Sequence, residues 1–422
     1  MGVFGLISCL LNKKFLLGGV VMKRIQFGLI SMLLVLFTLL IGCSSGSEES
    51  SGTGGSDNNT GNDSEEVETL KLGVVLATSG PLAQTGSWVL DGHKVAEKEI
   101  NDNGGVEIGG KKYKVEIVHY DSEGRAESAT AATEKLINQD KVPVILGTSI
   151  SSETAAMIPI AERAKTPLVT FVAASDILTE QGAQFFTQAA PANKNYVEAG
   201  TKSVVEMGIK NVALVYVDDA WGQSYGKLYP PLLEEAGVNL VAQEKFAPEQ
   251  KEFLTMINKI KAQNPDGILL AAETELAVPF LKQLWELIPG IKVMETGGSI
   301  PEEVVELVPN IPDQTVILSR SGEETEEIKQ FKELFSQSYD YEANSFNYSG
   351  YDGIYFVIDA MQRAGSVTDK EKINEAIRSA EYKGLIGTYS FNEKGENKLL
   401  GNRAVIKNGN EIIYQTVDKP LP

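Results

Sequence analysis

From Thr69 onward the chain alternates short continuous apolar runs with stretches where apolar residues return every third or fourth position. The first run, 69–77 (TLKLGVVLA), reads as a strand and ends at the turn signal Thr78-Ser79-Gly80-Pro81. Residues 86–101 then place Val89, Leu90, His93, Ala96 and Ile100 on one helical face, and Asn103-Gly104-Gly105 stops that helix. Strands are expected at 113–120, 142–146 and 167–172, with helices at 126–138 and 152–165 between them. After residue 190 the rhythm begins again, with strands at 211–217, 240–246, 267–272, 291–295 and 315–319. Helices are expected between those strands at 224–236, 252–263 and 275–288, and after them near 324–338, 347–364 and 369–380. The tail, 387–417, reads as hairpins.

Alternation with fully apolar strands predicts parallel sheets covered on both faces. Two such runs predict an α/β protein of two Rossmann-like lobes. Ligands of open α/β sheets sit at the carboxyl ends of the strands, so the expected pocket is the cleft between the lobes. The loops that face it are 78–87, 147–154, 172–176, 218–224, 271–275 and 295–299.

The 422 residues carry a formal charge of −19, from 38 basic and 57 acidic residues. Such a surface repels phosphate, which argues against nucleic acid as a partner. Two cysteines cannot build a disulfide framework, and two histidines (His93, His119) leave little for metal or acid–base chemistry. No metal and no cofactor are expected. A carboxylate enzyme is not excluded by composition. The Gly-x-Ser-x-Gly and Walker signatures are absent, however, and the glycine-rich run 103–110 lies between a helix and a strand, the wrong context for phosphate.

The N-terminus reads as an address. Residues 25–41 are uncharged and follow Lys23-Arg24, as in a secretory signal. The run ends Leu40-Ile41-Gly42-Cys43, which resembles the bacterial lipobox, so Cys43 is the expected lipidated first residue after removal of 1–42. An uncleaved signal anchor is the alternative. Met22 offers a second possible start, with 1–21 a misassigned extension. Residues 44–66 hold Ser, Gly, Asn and acids around Thr53 and Thr60, with no apolar residue, and read as a flexible tether behind Cys43.

The loops supply the candidate binding residues. Loop 147–154 carries five hydroxyls (Thr148, Ser149, Ser151, Ser152, Thr154) at a strand-to-helix turn, where exposed helix N–H groups favour a carboxylate. Capping by Ser151 or Ser152 would use one of them. In loop 172–176, Val172, Ala174 and Ser175 let backbone approach a ligand, or Ser175 or Asp176 serves as a cap. Trp221 sits in the loop after a strand and suits an apolar wall or lid, unless it packs under the next helix. Glu273 stands at a strand's carboxyl end and can face a ligand ammonium or simply solvent.

Residues 72–86 (LGVVLATSGPLAQTG) resemble the opening of type I periplasmic binding proteins of the leucine/isoleucine/valine-binding class. Asp91-Gly92, 100–105 (INDNGG), 145–154, 172–179 (VAASDILT), 215–225, 351–365 (YDGIYFVIDAMQRAG) and 384–395 (GLIGTYSFNEKG) continue that resemblance across 70–417. It implies a two-lobed clamp with three hinge crossings, one lobe at 67–190 plus 320–386 and the other at 191–319 plus 387–422. It also implies a monomeric, extracytoplasmic solute-binding subunit of an ABC importer, lipid-anchored at the cell membrane or periplasmic. Such a subunit delivers a small amino-acid-like ligand to permease subunits without doing chemistry. By the same resemblance Ser151 is the carboxylate-binding hydroxyl, Val172 the backbone contact, Trp221 the aromatic lid and Phe346 the pocket wall. Ala174 replaces the second hydroxyl, Thr85 replaces an aromatic, and the acid that pairs with the α-ammonium falls near uncharged Gly297, which leaves Glu273 to take that role. A ligand sensor on the same fold, signalling to a membrane receptor, is the second reading, and an enzyme using paired cleft acids the third.

Overall fold

The computed structural model describes residues 67–399, 401–417 and 419–421. Cys43, the signal segment and the tether lie outside these residues. Two seven-stranded sheets form the body, as the alternation predicts. The first is built from β1 (Glu68–Leu76), β2 (Val106–Ile108), β3 (Lys111–Asp121), β4 (Ile145–Gly147), β5 (Leu168–Thr170) and β6 (Phe186–Pro191). The second begins with β7 (Asn211–Val217), β8 (Asn239–Phe246), β9 (Gly267–Ala271), β10 (Lys292–Glu295) and β11 (Thr315–Ser319). The chain then forms β12 (Glu381–Lys383), β13 (Thr388–Ser390), β14 (Glu396–Asn397), β15 (Asn402–Lys407) and β16 (Glu411–Thr416). Strand order is β14-β6-β5-β4-β1-β3-β2 in the first sheet and β16-β15-β11-β10-β9-β7-β8 in the second. Each sheet is parallel through its middle, and β2, β15 and β16 add antiparallel edges.

Helices cover both faces. In the first half they are α1 (Ala83–Asp102), α2 (Ala126–Lys135), α3 (Ser151–Arg163) and α4 (Ile177–Glu180). In the second half they are α5 (Asn193–Glu206), α6 (Ala220–Glu235), α7 (Leu254–Lys261), α8 (Thr274–Leu287) and α9 (Pro301–Leu307). The chain then returns to the first half with α10 (Glu326–Phe335), α11 (Ser345–Ala364) and α12 (Lys370–Arg378). The central strands are apolar on both faces for the reason the pattern gave: Leu72, Val74 and Val75, like Ile268, Leu269 and Leu270, are fully buried.

One helix crossing brings two aromatic rings together. A Cβ on Gly92 of α1 would lie 2.1 Å from the Asn347 carbonyl oxygen, and one on Gly350 of α11 would lie 2.1 Å from that of Val89. Only glycine permits that approach. Asn344 caps α11 reciprocally with Asn347, and Asn347 Nδ2 donates to the Trp88 carbonyl at 2.7 Å. The two helices thereby bring Trp88 and Phe346 together, stacked with centroids 5.9 Å apart.

Two expectations need correction. The chain does not change sheets at 386/387. Asp352 accepts the N–H groups of Leu385 and Ile386 and the Tyr389 hydroxyl, and Tyr389 packs edge-on against Phe171. These contacts hold β12 and β13 in the first half, β14 pairs with β6, and the second sheet resumes only at Asn402. Nor is Trp221 in a loop. Asp219 accepts the Gly222 N–H at 2.8 Å and caps α6, which starts at Ala220 and places Trp221 in its first turn.

Candidate functional site

The carboxyl ends of β7, β9, β10 and β11 face those of β1, β4 and β5 across a cleft. The two halves touch there through side chains. The Thr85 N–H donates to Glu275 Oε1 at 3.3 Å, Ser175 Oγ to the Ala220 carbonyl at 2.9 Å, and Ser224 Oγ to Asp176 Oδ2 at 3.0 Å. Arg320, which directly follows β11, donates from Nη2 to the Val172 carbonyl at 3.1 Å.

The hydroxyls of loop 147–154 divide by role. Thr148 and Thr154 bond each other and the Ile150 backbone, so they shape the loop. Ser152 is exposed. Ser151 does not cap α3; its Oγ accepts the Ser175 N–H at 3.3 Å. Ser149 Oγ is buried and has no partner. Beyond β5, the Val172 carbonyl accepts from Arg320, and the Ala174 carbonyl accepts from Asn193 N–H and Gln188 Nε2. The second-hydroxyl position is therefore filled by core.

On the other half, the Trp221 ring lies against the loop after β10. A Cβ on Gly298 would meet its Cη2 at 2.8 Å, and the ring meets Tyr225 edge-on at 5.0 Å. Gly297 has φ +94°, and a side chain there would press on the Tyr196 ring at 3.0 Å, so no acid fits. The nearby acid, Glu295, is buried and spends both oxygens on the Gly297 and Gly298 N–H groups at 3.0 Å. Burial pushes its carboxyl up to about 8. Glu273, at the start of α8, is half-buried with Oε2 shut off from water and unpartnered. Burial first, then the charges of Asp219, Glu275 and Glu295, hold its pKa well above the ordinary carboxylate range. A cation placed beside Glu273 would restore its charge.

Arg320 was not singled out from the sequence. It is 6% exposed, its Nε has no partner, and its guanidinium lies 5.1 Å from the Phe346 ring centroid. The rule that drew attention to Glu273, a charge directly after an apolar strand, applies equally to Arg320 after Thr315–Ser319. Strands are spaced about 4.8 Å apart, so with β10 between them, β9 and β11 set Glu273 and Arg320 roughly 10 Å apart at the backbone. Thr296 Oγ1, after β10 between them, is buried and unpartnered too. An acid, a hydroxyl and a base thus follow three neighbouring strands of one sheet, each with one buried polar atom that has no partner among the described residues. Buried polar groups are ordinarily paired, so such a set is a candidate for ligand contact.

Beside it a cavity of about 590 Å³ opens between α1, α8 and α9, lined by Trp88, Asp91, Glu275, Val278, Glu303 and Tyr341 among others. Burial and the neighbouring Glu275, Glu306 and Glu302 push Glu303 up to about 7. Thr85 touches the second half through its backbone N–H, and Trp88, three residues on, stacks on Phe346.

The family model for periplasmic binding proteins matches residues 69–403. The chain belongs to the periplasmic binding protein family. This periplasmic binding protein is 23% identical over 336 residues to Leu/Ile/Val-binding protein homolog 7 of Brucella abortus, across 74% of this chain and 81% of that one. It is 27% identical over 203 residues to the Leu/Ile/Val-binding protein of Escherichia coli K12, across 48% and 54% of the two chains. Two solved structures share its fold. One is a branched-chain amino acid transporter substrate binding protein from Streptococcus pneumoniae in complex with isoleucine (TM-score 0.72, 23% identity, 82% and 100% covered). The other is an ABC transporter solute binding protein from R. palustris in complex with benzoate (TM-score 0.73, 21% identity, 82% and 96% covered). Members of this type I class are solute-binding proteins that work outside the cytoplasm. Among the described residues of this periplasmic binding protein, no helix is long and apolar enough to cross a membrane.

Proposed function

We propose that this chain is the lipid-anchored solute-binding subunit of an ABC importer and captures an amino-acid-type zwitterion between its halves. The observation that carries this reading is the pair of buried, unpartnered polar atoms, Arg320 Nε and Glu273 Oε2, just past the ends of two strands of one sheet. The ligand carboxylate lies toward Arg320, with Ser149 and Ser151 beside it, and the ammonium lies toward Glu273. Trp88 and Phe346 form the wall for its apolar part. Closure of the halves around the ligand is the state the permease recognises.

A second reading has its own support. The Trp88–Phe346 stack beside Arg320 also suits an aromatic carboxylate, the ligand class seen in the R. palustris protein. In that case Glu273 stays protonated and needs no cation.

A thermal-shift screen of amino acids and benzoates decides between them. Ligand at a hundred times its Kd adds about 2.7 kcal/mol to stability. If an amino acid is the ligand, Glu273→Gln lowers its affinity roughly tenfold to hundredfold, the worth of a charge-assisted hydrogen bond. A benzoate would bind that variant as well as the parent. Stabilisation by neither class would overturn the assignment. The anchor is tested separately: Cys43→Ala should move the protein from the membrane fraction to the soluble one, and unchanged membrane retention would favour an uncleaved signal anchor.

A further inference from the structure

A second cavity, of about 400 Å³, lies within the first half. Phe331 of α10, Tyr351 and Tyr355 of α11 and Tyr382 of β12 wall it, and Glu99 of α1 lines it with them. Glu99 follows Thr85 by 14 residues along one helix, so it lies about 21 Å from the cleft end of α1. This cavity is therefore no part of the ligand cleft.

Its chemistry is specific. The hydroxyls of Tyr351 and Tyr355 both donate to Glu99 Oε2, at 2.6 and 2.7 Å. The Tyr351 ring sits 4.7 Å from Phe331 and 4.8 Å from Tyr355. Among the described residues no basic side chain pairs with Glu99. The lysine at the rim, Lys383, is engaged by Glu327 at 2.9 Å. Asp352, also in the lining, is already occupied by two backbone N–H groups and the Tyr389 hydroxyl. Among the described residues Glu99 therefore has hydroxyl donors but no counter-charge, and four aromatic rings line the cavity with it.

Ring faces attract cations, and a carboxylate among them adds a direct charge partner. A bare metal ion needs several oxygen ligands instead, and among the described residues no group of three ligating side chains exists. An anion meets the Glu99 carboxylate and is repelled.

We propose that this cavity binds a small organic cation, an alkylammonium or guanidinium free in solution, with Glu99 as its charge partner and the four rings as its walls. The site is independent of the cleft and of the ligand assigned there.

Titration calorimetry of the full chain with tetramethylammonium chloride and with methylguanidinium chloride tests this, with sodium chloride at equal ionic strength as the blank. Saturable binding beyond the blank is expected for at least one of them. Glu99→Gln, which still accepts from the tyrosine hydroxyls, should weaken it about tenfold or more. Tyr382→Leu removes one wall without touching Glu99 and should weaken it severalfold. Glu273→Gln should leave it unchanged. Absence of saturable binding overturns the proposal. So does binding that both Glu99→Gln and Tyr382→Leu preserve, or binding that Glu273→Gln abolishes, which would assign the cation to the cleft.

Discussion

Arg320→Ala should cost a carboxylate ligand at least about thirtyfold in affinity, and up to several thousandfold. Truncating one partner of a buried, hydrogen-bonded charge pair typically costs about 2–5 kcal/mol. Arg320→Lys should rescue little, because an ammonium lacks the planar fork that reaches Val172 and leaves Nε aimed elsewhere. Arg320→Ala should leave the unliganded protein as stable as before or more so, since it removes a buried charge whose Nε is unpartnered. The two effects together separate a binding residue from a structural one. Calorimetry for affinity and a melting curve without ligand measure them. Unchanged affinity in Arg320→Ala would move the carboxylate to Ser149 and Ser151 alone.

The second large effect is on pH. Burial raises Glu295 to about 8, Glu153 to about 7 and Asp352 to about 6. The folded chain therefore holds these protons more tightly than the unfolded chain does. Their contribution is fully present below the ordinary carboxylate pKa and is lost as pH rises through those folded values. Each tenfold difference in proton affinity is worth about 1.4 kcal/mol, so the sum is on the order of several kcal/mol. Glu396 works in the opposite sense. Burial would raise it, but hydrogen bonds from Lys194, Thr179 and Asn392 outweigh burial and hold it at about 2, so its contribution is lost only as pH falls from ordinary carboxylate values toward 2. The melting temperature of the unliganded protein should therefore be higher at pH 5 than at pH 8, by several degrees. A flat profile, or a rise toward pH 8, would show that water or a counter-ion reaches these carboxyls in solution.

Much of the architecture is legible in the sequence because parallel strands buried on both faces must be uninterrupted apolar runs. Val74-Val75-Leu76 and Ile268-Leu269-Leu270 announce themselves in that way. The placement of 387–397 is not legible. It depends on the Asp352 carboxylate reaching Leu385, Ile386 and Tyr389, a contact over more than thirty residues that no local pattern encodes. Trp221 was expected in the right neighbourhood but the wrong element, since Asp219 rather than Ser224 begins the helix. In the cleft, Glu273 is found by its position after a strand. Arg320 has the same signature and went unnoticed beside the richer hydroxyl loop. The uncharged Gly297 becomes intelligible only when the Tyr196 ring is seen against it. Sequence shows which residue is missing there, and packing shows why.

The tight crossing of α1 and α11 also bears on how such a protein changes its ligand over time. At Gly92 and Gly350 even a methyl group has nowhere to go, and Trp88 and Phe346 depend on that crossing for their stack. The aromatic wall proposed for the ligand is therefore frozen: drift there would unseat a helix before it altered selectivity. Glu273, Thr296 and Arg320 lie instead on loops at strand ends, where a side chain can be exchanged without moving backbone. New specificities should arise by rewriting that polar edge while the hydrophobic half of the pocket is inherited intact.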